Sequence, residues 1–150
     1  MSQESQVDID RSVGYILKRA QATLHGELEK RLSRYGLSIS QYACLELLAH
    51  QPDSSQSELA RGAFVTRQAM QQLTAGLQKA GLIASRGDGR ARRMRLTADG
   101  RRKLKAASRV AAEVEREMLA GLDPAQQDAL RGHLVSCIDS LGLGSAGDGA

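Results

Sequence analysis

Residues 56–97 read QSELARGAFVTRQAMQQLTAGLQKAGLIASRGDGRARRMRLT, and this stretch decides the fold. Its apolar spacing predicts a short helix, a tight turn and a second helix that Thr66 caps and that ends at Gly81. The apolar stripe of this second helix is Ala69, Met70, Leu73, Leu77 and Ala80. Leu82–Arg86 and Arg92–Thr97 then predict two strands joined by the turn Gly87-Asp88-Gly89. The stretch therefore predicts a pair of helices followed by a hairpin.

Charge is unevenly distributed along the 150 residues. Residues 61–109 hold 13 Lys or Arg and 2 Asp, a net charge of +11, whereas the remaining residues hold 8 basic and 15 acidic residues, a net charge of −7. No acidic residue lies between Glu58 and Asp88. Such local excess indicates a polyanionic partner more strongly than the total charge of +4 does. A basic face that is merely solvated is the alternative.

The two predicted helices fit a helix-turn-helix, in which the N-terminal end of the second helix enters the major groove of double-stranded DNA. Arginine can pair with guanine and glutamine with adenine through two parallel hydrogen bonds, and hydroxyls at helix N-termini often contact phosphates. A solvated polar helix face would also carry glutamines, so that alternative stays open. The candidate DNA-contacting residues of the two helices are Ser57, Thr66, Arg67, Gln68, Gln71 and Gln72.

The predicted hairpin is rich in arginine. Three of the four residues at 92–95 are arginine, a pattern unsuited to a buried sheet. A two-stranded wing beside the helix-turn-helix explains it, because arginine at a wing tip can enter the narrow minor groove. Arg90 is the candidate for the tip, and Arg86 and Arg92 are further DNA-contacting candidates. One arginine of the hairpin is expected to pair with an acid such as Asp88.

Apolar stripes at helical spacing flank this segment on both sides. Residues 10–34 predict one long helix, and residues 98–141 predict two more, the last with Asp123 as N-cap and Pro124 at its first position. We expect these flanks to be dimerisation helices. Residues 142–150 are rich in Gly, Ser and Ala and predict a disordered tail.

Three stretches resemble the MarR family of bacterial winged-helix regulators. Residues 63–83, AFVTRQAMQQLTAGLQKAGLI, match its recognition helix, and residues 37–49, LSISQYACLELLA, match its second helix. Asp88-Gly89-Arg90 matches the Asp-x-Arg element of the family's wing, and Leu96–Gly100 matches the Leu-Thr-x-x-Gly entry into its next helix. The resemblance covers roughly residues 10–140. The chain departs from it at Phe64, where a small residue is more typical; we expect this ring to pack into the core.

The resemblance implies a mainly α (α+β) fold in a single domain of residues 1–150, with a winged helix-turn-helix at 37–97 and a helical dimerisation region from both termini. It implies a homodimeric repressor that binds a pseudo-palindromic operator and is released by a small aromatic acid or phenol. By their placement on the first and second helices, Arg19, His25 and Tyr42 are the candidate anchors for that effector. Ordinary helix packing is at least as strong an interpretation for His25 and Tyr42.

Other function classes find little support. Cys44 and Cys137 have no metal-ligand spacing and are expected to be reduced and mostly buried, so no metal is predicted. The GxGxxG match at 142–147 has too few residues after it for a dinucleotide fold, and the histidines lack a patterned acid or nucleophile, so we predict neither cofactor nor catalysis. No apolar run approaches the roughly 20 residues needed to span a bilayer, and the polar first residues do not resemble a signal peptide, which predicts a cytoplasmic protein without a membrane partner. Cysteine-based redox sensing and a winged-helix protein-interaction module without DNA readout are the alternative functions.

Overall fold

The computed structural model describes residues 8–142; residues 1–7 and 143–150, and with them nearly all of the predicted tail, lie outside the described residues. The described chain is mainly helical with one two-stranded sheet, which confirms the predicted class. Its described residues divide into two compact units, 8–114 and 115–142. The elements are α1 (Val13–Ser33), α2 (Ile39–His50), α3 (Gln56–Gly62), α4 (Arg67–Lys79), β1 (Ile83–Arg86), β2 (Arg93–Leu96), α5 (Ala98–Met118) and α6 (Pro124–Ser140).

Hydroxyl side chains set where the helices of the first unit begin. Ser12 Oγ accepts from the backbone N–H of Tyr15, so α1 begins at Val13 and not at residue 10 as predicted. Ser38 forms a reciprocal capping box at the start of α2. Thr66 Oγ1 accepts from the N–H of Ala69 and starts α4 where the sequence predicted. Each cap satisfies one of the backbone donors that a helix leaves unpaired at its N-terminus.

The core of the first unit is built around α2. Cys44, Leu45 and Leu48 are fully buried and pack in one cluster with Leu59 of α3 and Met70 of α4. The small winged sheet is tied to this cluster by its own buried side chains, Ile83 and Met94. Helix–helix packing of aliphatic side chains thus fixes the angle at which α3, α4 and the sheet are presented.

β1 and β2 pair antiparallel in the register Ile83↔Leu96 to Arg86↔Arg93. The connection between them, residues 87–92, is one residue longer than the predicted strand bounds leave, and Gly89–Ala91 within it forms a single 3-10 turn before β2 starts. Arg92 consequently lies in the connection and not in the second strand. An isolated bridge between Ser54 and Met94 adds the loop after α2 to the sheet.

The Leu-Thr-x-x-Gly element joins the end of α4 to the start of α5. The N–H of Thr97 donates to the carbonyl of Leu82 (3.0 Å), and Thr97 Oγ1 donates to the carbonyl of Gly81 (2.6 Å) and accepts from the N–H of Gly100 (3.0 Å). A Cβ placed on Gly100 would lie 1.9 Å from the Leu82 carbonyl oxygen. The glycine is therefore required by close backbone approach.

Phe64 lies outside the core, contrary to the prediction that its ring packs there. Its φ is +56° and its side chain is 96% exposed. The N–H of Phe64 donates to the carbonyl of Arg61 and that of Val65 to Ala60, the paired bonds of a Schellman helix end. This left-handed turn reverses the chain direction, so Val65, and not Phe64, packs against the core cluster.

Apolar side chains of α6 in the second unit remain exposed. The helix begins as predicted, with Asp123 and Gln126 in a capping box and Pro124 in the first turn. Leu134 and Ile138 are 39% and 50% exposed, and Val13, Ile16 and Leu17 of α1 in the first unit are exposed as well. Each unit thus leaves an apolar stripe uncovered. Across residues 8–142, no helix is long and apolar enough to span a membrane.

Candidate nucleic-acid interface

A basic cleft of about 650 Å³ opens between α3, α4 and the connection of the two strands. It brings together five of the nine predicted DNA-contacting residues. No carboxylate is among its lining residues, which favours an anionic occupant. We call it the wing cleft; its lining residues are Ser55, Gln56, Ser57, Arg67, Gln71, Thr74, Ala75, Gln78, Gly89, Arg90, Arg92 and Arg93.

The remaining predicted residues of α4 lie outside the wing cleft. Gln68 is exposed on the helix surface, and Gln72 lines a different groove together with Ser40 and Gln41 of α2. Thr66 is exposed at the N-cap; its oxygen accepts from the Ala69 N–H, which leaves the hydroxyl hydrogen for an acceptor such as a phosphate. The predicted face of α4 is therefore exposed along its length but divides between two grooves.

The wing presents Arg90 at its tip. Gly87 and Gly89 both have positive φ and make the bend that carries it. The Arg93 guanidinium donates to the carbonyls of Arg90 (3.0 Å) and Arg92 (3.2 Å), which braces the tip from inside. Arg90 is exposed, and its guanidinium makes no hydrogen bond to another residue of the described chain. The wing tip thus combines a braced backbone with an available cation.

Gln78 links α4 to the wing, a role that the sequence analysis missed. Its side-chain carbonyl accepts from Arg92 Nη2 (2.8 Å), and its amide donates to Ser85 Oγ (2.8 Å). The periodicity of α4 could have revealed it, because residues 67, 71 and 78 recur on one face at 3.6 residues per turn. Arg92 is half-buried by this contact, whereas Arg86 is exposed on β1.

The acid that pairs with a wing arginine is Asp53, and not Asp88 as predicted. Arg95 Nε and Nη2 donate to the two Asp53 carboxylate oxygens at 2.5 and 2.7 Å. The hydrogen bond from Arg95 holds the pKa of Asp53 below its ordinary value. Two backbone hydrogen bonds join the same segments: the N–H of Asp53 donates to the carbonyl of Met94, and the N–H of Met94 donates to the carbonyl of Ser54. The loop after α2 therefore anchors β2, a tertiary contact that local sequence spacing could not indicate.

A second cavity, of about 870 Å³, lies between α2, β2 and the first turns of α5. Its apolar surface comes from leucine and alanine side chains, and its cationic groups are Arg95, Arg101, Lys105 and Arg109. No carboxylate belongs to its lining. We call it the α2–α5 cavity; it is lined by Leu48, Ala49, Pro52, Arg95, Leu96, Arg101, Leu104, Lys105, Ser108, Arg109 and Ala112.

The three predicted effector anchors are not part of this cavity. Tyr42 is 9% exposed, and its hydroxyl donates to Glu46 Oε1 at 2.6 Å. Burial and that hydrogen bond raise the pKa of Tyr42 to about 12, so the phenol is a neutral packing residue at pH 7. His25 and Arg19 are exposed on α1, with the Arg19 guanidinium 6.0 Å from the Tyr15 ring centre. The structure thus places the three side chains in different surroundings.

The cysteines differ from each other. Cys44 is fully buried beside Met70, and burial raises the pKa of its thiol to about 11, so it is protonated and poorly reactive at neutral pH. Cys137 is exposed, contrary to the expectation that both thiols are buried. Within residues 8–142, His, Cys, Asp and Glu do not gather into a group of three or more that could hold a metal.

Comparison with known proteins identifies the family. The model of the MarR family matches residues 35–93. A curated HTH-type transcriptional repressor of Mycobacterium tuberculosis is 39% identical over 121 residues, which cover 79% of this chain and 87% of that protein. The chain belongs to the MarR family.

Two solved structures of a MarR family protein from Mycobacterium tuberculosis extend this comparison. One is a complex with DNA, 35% identical with a TM-score of 0.75, covering 84% of this chain and 97% of that chain. The other is a complex with salicylic acid, 36% identical with a TM-score of 0.71, covering 84% of this chain and 96% of that chain. MarR proteins are DNA-binding transcription regulators and not enzymes, which confirms the predicted class of function.

Proposed function

We propose that the protein is a homodimeric cytoplasmic repressor that binds a pseudo-palindromic operator and is released from it by a small aromatic acid. The wing cleft is the observation that carries the proposal. It places Arg67 and Gln71 of the recognition helix beside Arg90 of the wing, with no carboxylate between them. A major-groove reader next to a minor-groove cation is what a winged helix needs to bind duplex DNA.

The experiment that tests this proposal is a binding titration on duplex DNA from upstream of the protein's own gene, with a scrambled duplex of equal length as control. Specific binding should exceed binding to the control, and affinity should fall steeply as salt rises because phosphate contacts release counterions. A protein-interaction module would bind both duplexes equally weakly. Equal binding to the two duplexes at every salt concentration would contradict the proposal.

We predict that Arg90→Ala weakens operator binding about tenfold, within the range that a single lost contact to a base edge costs. The Arg90 side chain makes no intramolecular hydrogen bond in the described chain, so the substitution should leave thermal unfolding unchanged. Arg11→Ala is the matched control, since it removes the same charge from an exposed position before α1. Wild-type affinity in the Arg90 variant would show that the wing tip does not contact DNA.

For the effector, we propose the α2–α5 cavity. An aromatic ring fits its leucine and alanine surface, and a carboxylate fits its cationic rim. Of the four cations, Arg95 is held by Asp53, and Arg101 Nη1 donates to the carbonyl of Leu96. Lys105 and Arg109 are therefore the residues best placed to hold the carboxylate. That the related protein was solved with salicylic acid supports an effector of this class.

We predict that the double variant Lys105→Gln, Arg109→Gln lowers salicylate affinity about tenfold, measured by calorimetry without DNA. Glutamine can still donate a neutral hydrogen bond to the carboxylate, so only the charge-assisted part of each contact is lost, which accounts for that size. Arg116→Gln, farther along α5 and outside the cavity, is the control and should keep wild-type affinity. If the double variant binds normally while Arg19→Ala or His25→Ala does not, the sequence-predicted anchors are the correct ones.

A further inference from the structure

Phe64 is the exposed aromatic residue of the winged helix-turn-helix at residues 37–97, which we call the winged lobe. Within residues 37–97, all of which the structure describes, it is the only large hydrophobic residue with an exposed side chain, and 96% of its surface is accessible. It is also the only phenylalanine of the chain. Neither the core cluster nor the wing cleft uses it. Its burial against a partner would remove more apolar surface from water than any other side chain of this lobe could.

The backbone conformation at Phe64 indicates that the ring has a role other than stabilising the free protein. Phe64 occupies the C′ position of a Schellman helix end, where φ is positive and glycine is the preferred residue. A side chain with a Cβ is disfavoured there relative to glycine. The ring gains nothing from packing to offset this cost. The free protein would therefore be at least as stable with glycine at this position.

The position of Phe64 points to DNA as the partner. It precedes Thr66, the N-cap of α4, by two residues, a span of at most about 7 Å. The exposed cations Arg61 and Arg67 flank it. The N-terminal end of a recognition helix is the part that enters the major groove. An apolar group at the edge of that groove meets either a thymine 5-methyl group or the C–H surface of a deoxyribose.

We propose that Phe64 contacts DNA at the edge of the major groove through its ring, with a thymine methyl group or a deoxyribose as its apolar partner. The proposal rests on DNA binding by α4, the proposed function. Thymine is the base that presents an apolar group in the major groove, and phenylalanine is among the side chains that contact it. Phe64 thus lowers the stability of the free winged lobe and raises its affinity for DNA.

The test compares Phe64→Gly, Phe64→Asn and Phe64→Leu in thermal unfolding and in fluorescence anisotropy with duplex DNA from upstream of the protein's own gene. Phe64→Gly should keep or raise the unfolding midpoint, by up to about 4 °C, yet bind about tenfold more weakly. Asparagine tolerates the left-handed backbone without supplying an apolar surface, so it should weaken binding too. Leucine should retain most of the affinity. Opposite changes of stability and affinity exclude unfolding as the cause.

A duplex with deoxyuridine in place of thymine distinguishes the two partners. If the methyl group is the partner, wild-type protein loses affinity on this duplex and Phe64→Gly does not. If the deoxyribose is the partner, the loss caused by Phe64→Gly is the same on both duplexes. Wild-type affinity in Phe64→Gly overturns the contact alone. Wild-type protein that fails to prefer this DNA over a scrambled duplex overturns the proposed function and the contact with it.

Discussion

Gly100→Ala is expected to destabilise the first unit by about 3 kcal/mol and to lower its unfolding midpoint by about 6–12 °C. The added Cβ would lie 1.9 Å from the Leu82 carbonyl oxygen, far inside van der Waals contact. That oxygen belongs to the backbone and accepts the Thr97 N–H, so it cannot move without breaking the joint between α4 and α5. Strain of this kind cannot be relieved by a side-chain rotation.

Gly76→Ala provides the matched control for Gly100→Ala. Gly76 lies inside α4, and nothing stands within 4 Å of the Cβ that alanine would add. Alanine in a helix interior is favoured over glycine by about 1 kcal/mol, so this variant should unfold at a higher temperature. Calorimetric unfolding of both variants checks the prediction. An unfolding midpoint for Gly100→Ala at or above the wild-type value would show that the α4–α5 joint tolerates a side chain.

The helix starts were predictable from sequence, because their causes are local. Thr66 and Asp123 cap the helices that the sequence assigned to them, through hydrogen bonds that span only three residues. Hydrophobic periodicity likewise indicated the buried face of α4, which includes Met70 and Leu77. Capping hydrogen bonds join residues close in the chain, and apolar spacing is read from consecutive residues. Helix starts and buried helix faces can therefore be predicted without knowledge of tertiary contacts.

The predictions from sequence were wrong where tertiary contacts or backbone geometry determine the position of a side chain. Arg95 bonds to Asp53, which is 42 positions away in the chain, so no local pattern could favour it over Asp88. Phe64 was expected in the core because it is apolar, but the left-handed turn directs the chain so that Val65 packs, partly buried, against the core cluster instead. For the effector, helix placement suggested Tyr42, which is buried with its hydroxyl bonded to Glu46, and its role as an anchor stays a prediction. The site residues in the wing cleft remain predictions until DNA binding is measured.

The double variant Leu134→Asp, Ile138→Asp is expected to convert the proposed homodimer into a monomer and to weaken operator binding by about 100-fold or more. Both side chains are largely exposed on α6 of a single chain, at 39% and 50%, so the units should still fold. In a dimer they would be buried, and two carboxylates without partners in an apolar interface oppose association strongly. Loss of the dimer also removes the second half-site contact, whose effective concentration can raise affinity by a factor of about 10²–10⁴.

Ser136→Asp, Ser140→Asp is the control for this dimer variant, with the same charges at the same spacing on the same helix. Both serines are exposed and lie off the stripe formed by Leu134 and Ile138. Analytical ultracentrifugation should find a dimer for the wild type and the control and a monomer for the Leu134, Ile138 variant. Circular dichroism should find equal helix content in all three. If the Leu134, Ile138 variant stays a dimer with unchanged operator affinity, the dimer interface lies elsewhere. If it is a monomer that still binds the operator tightly, DNA recognition does not require the dimer.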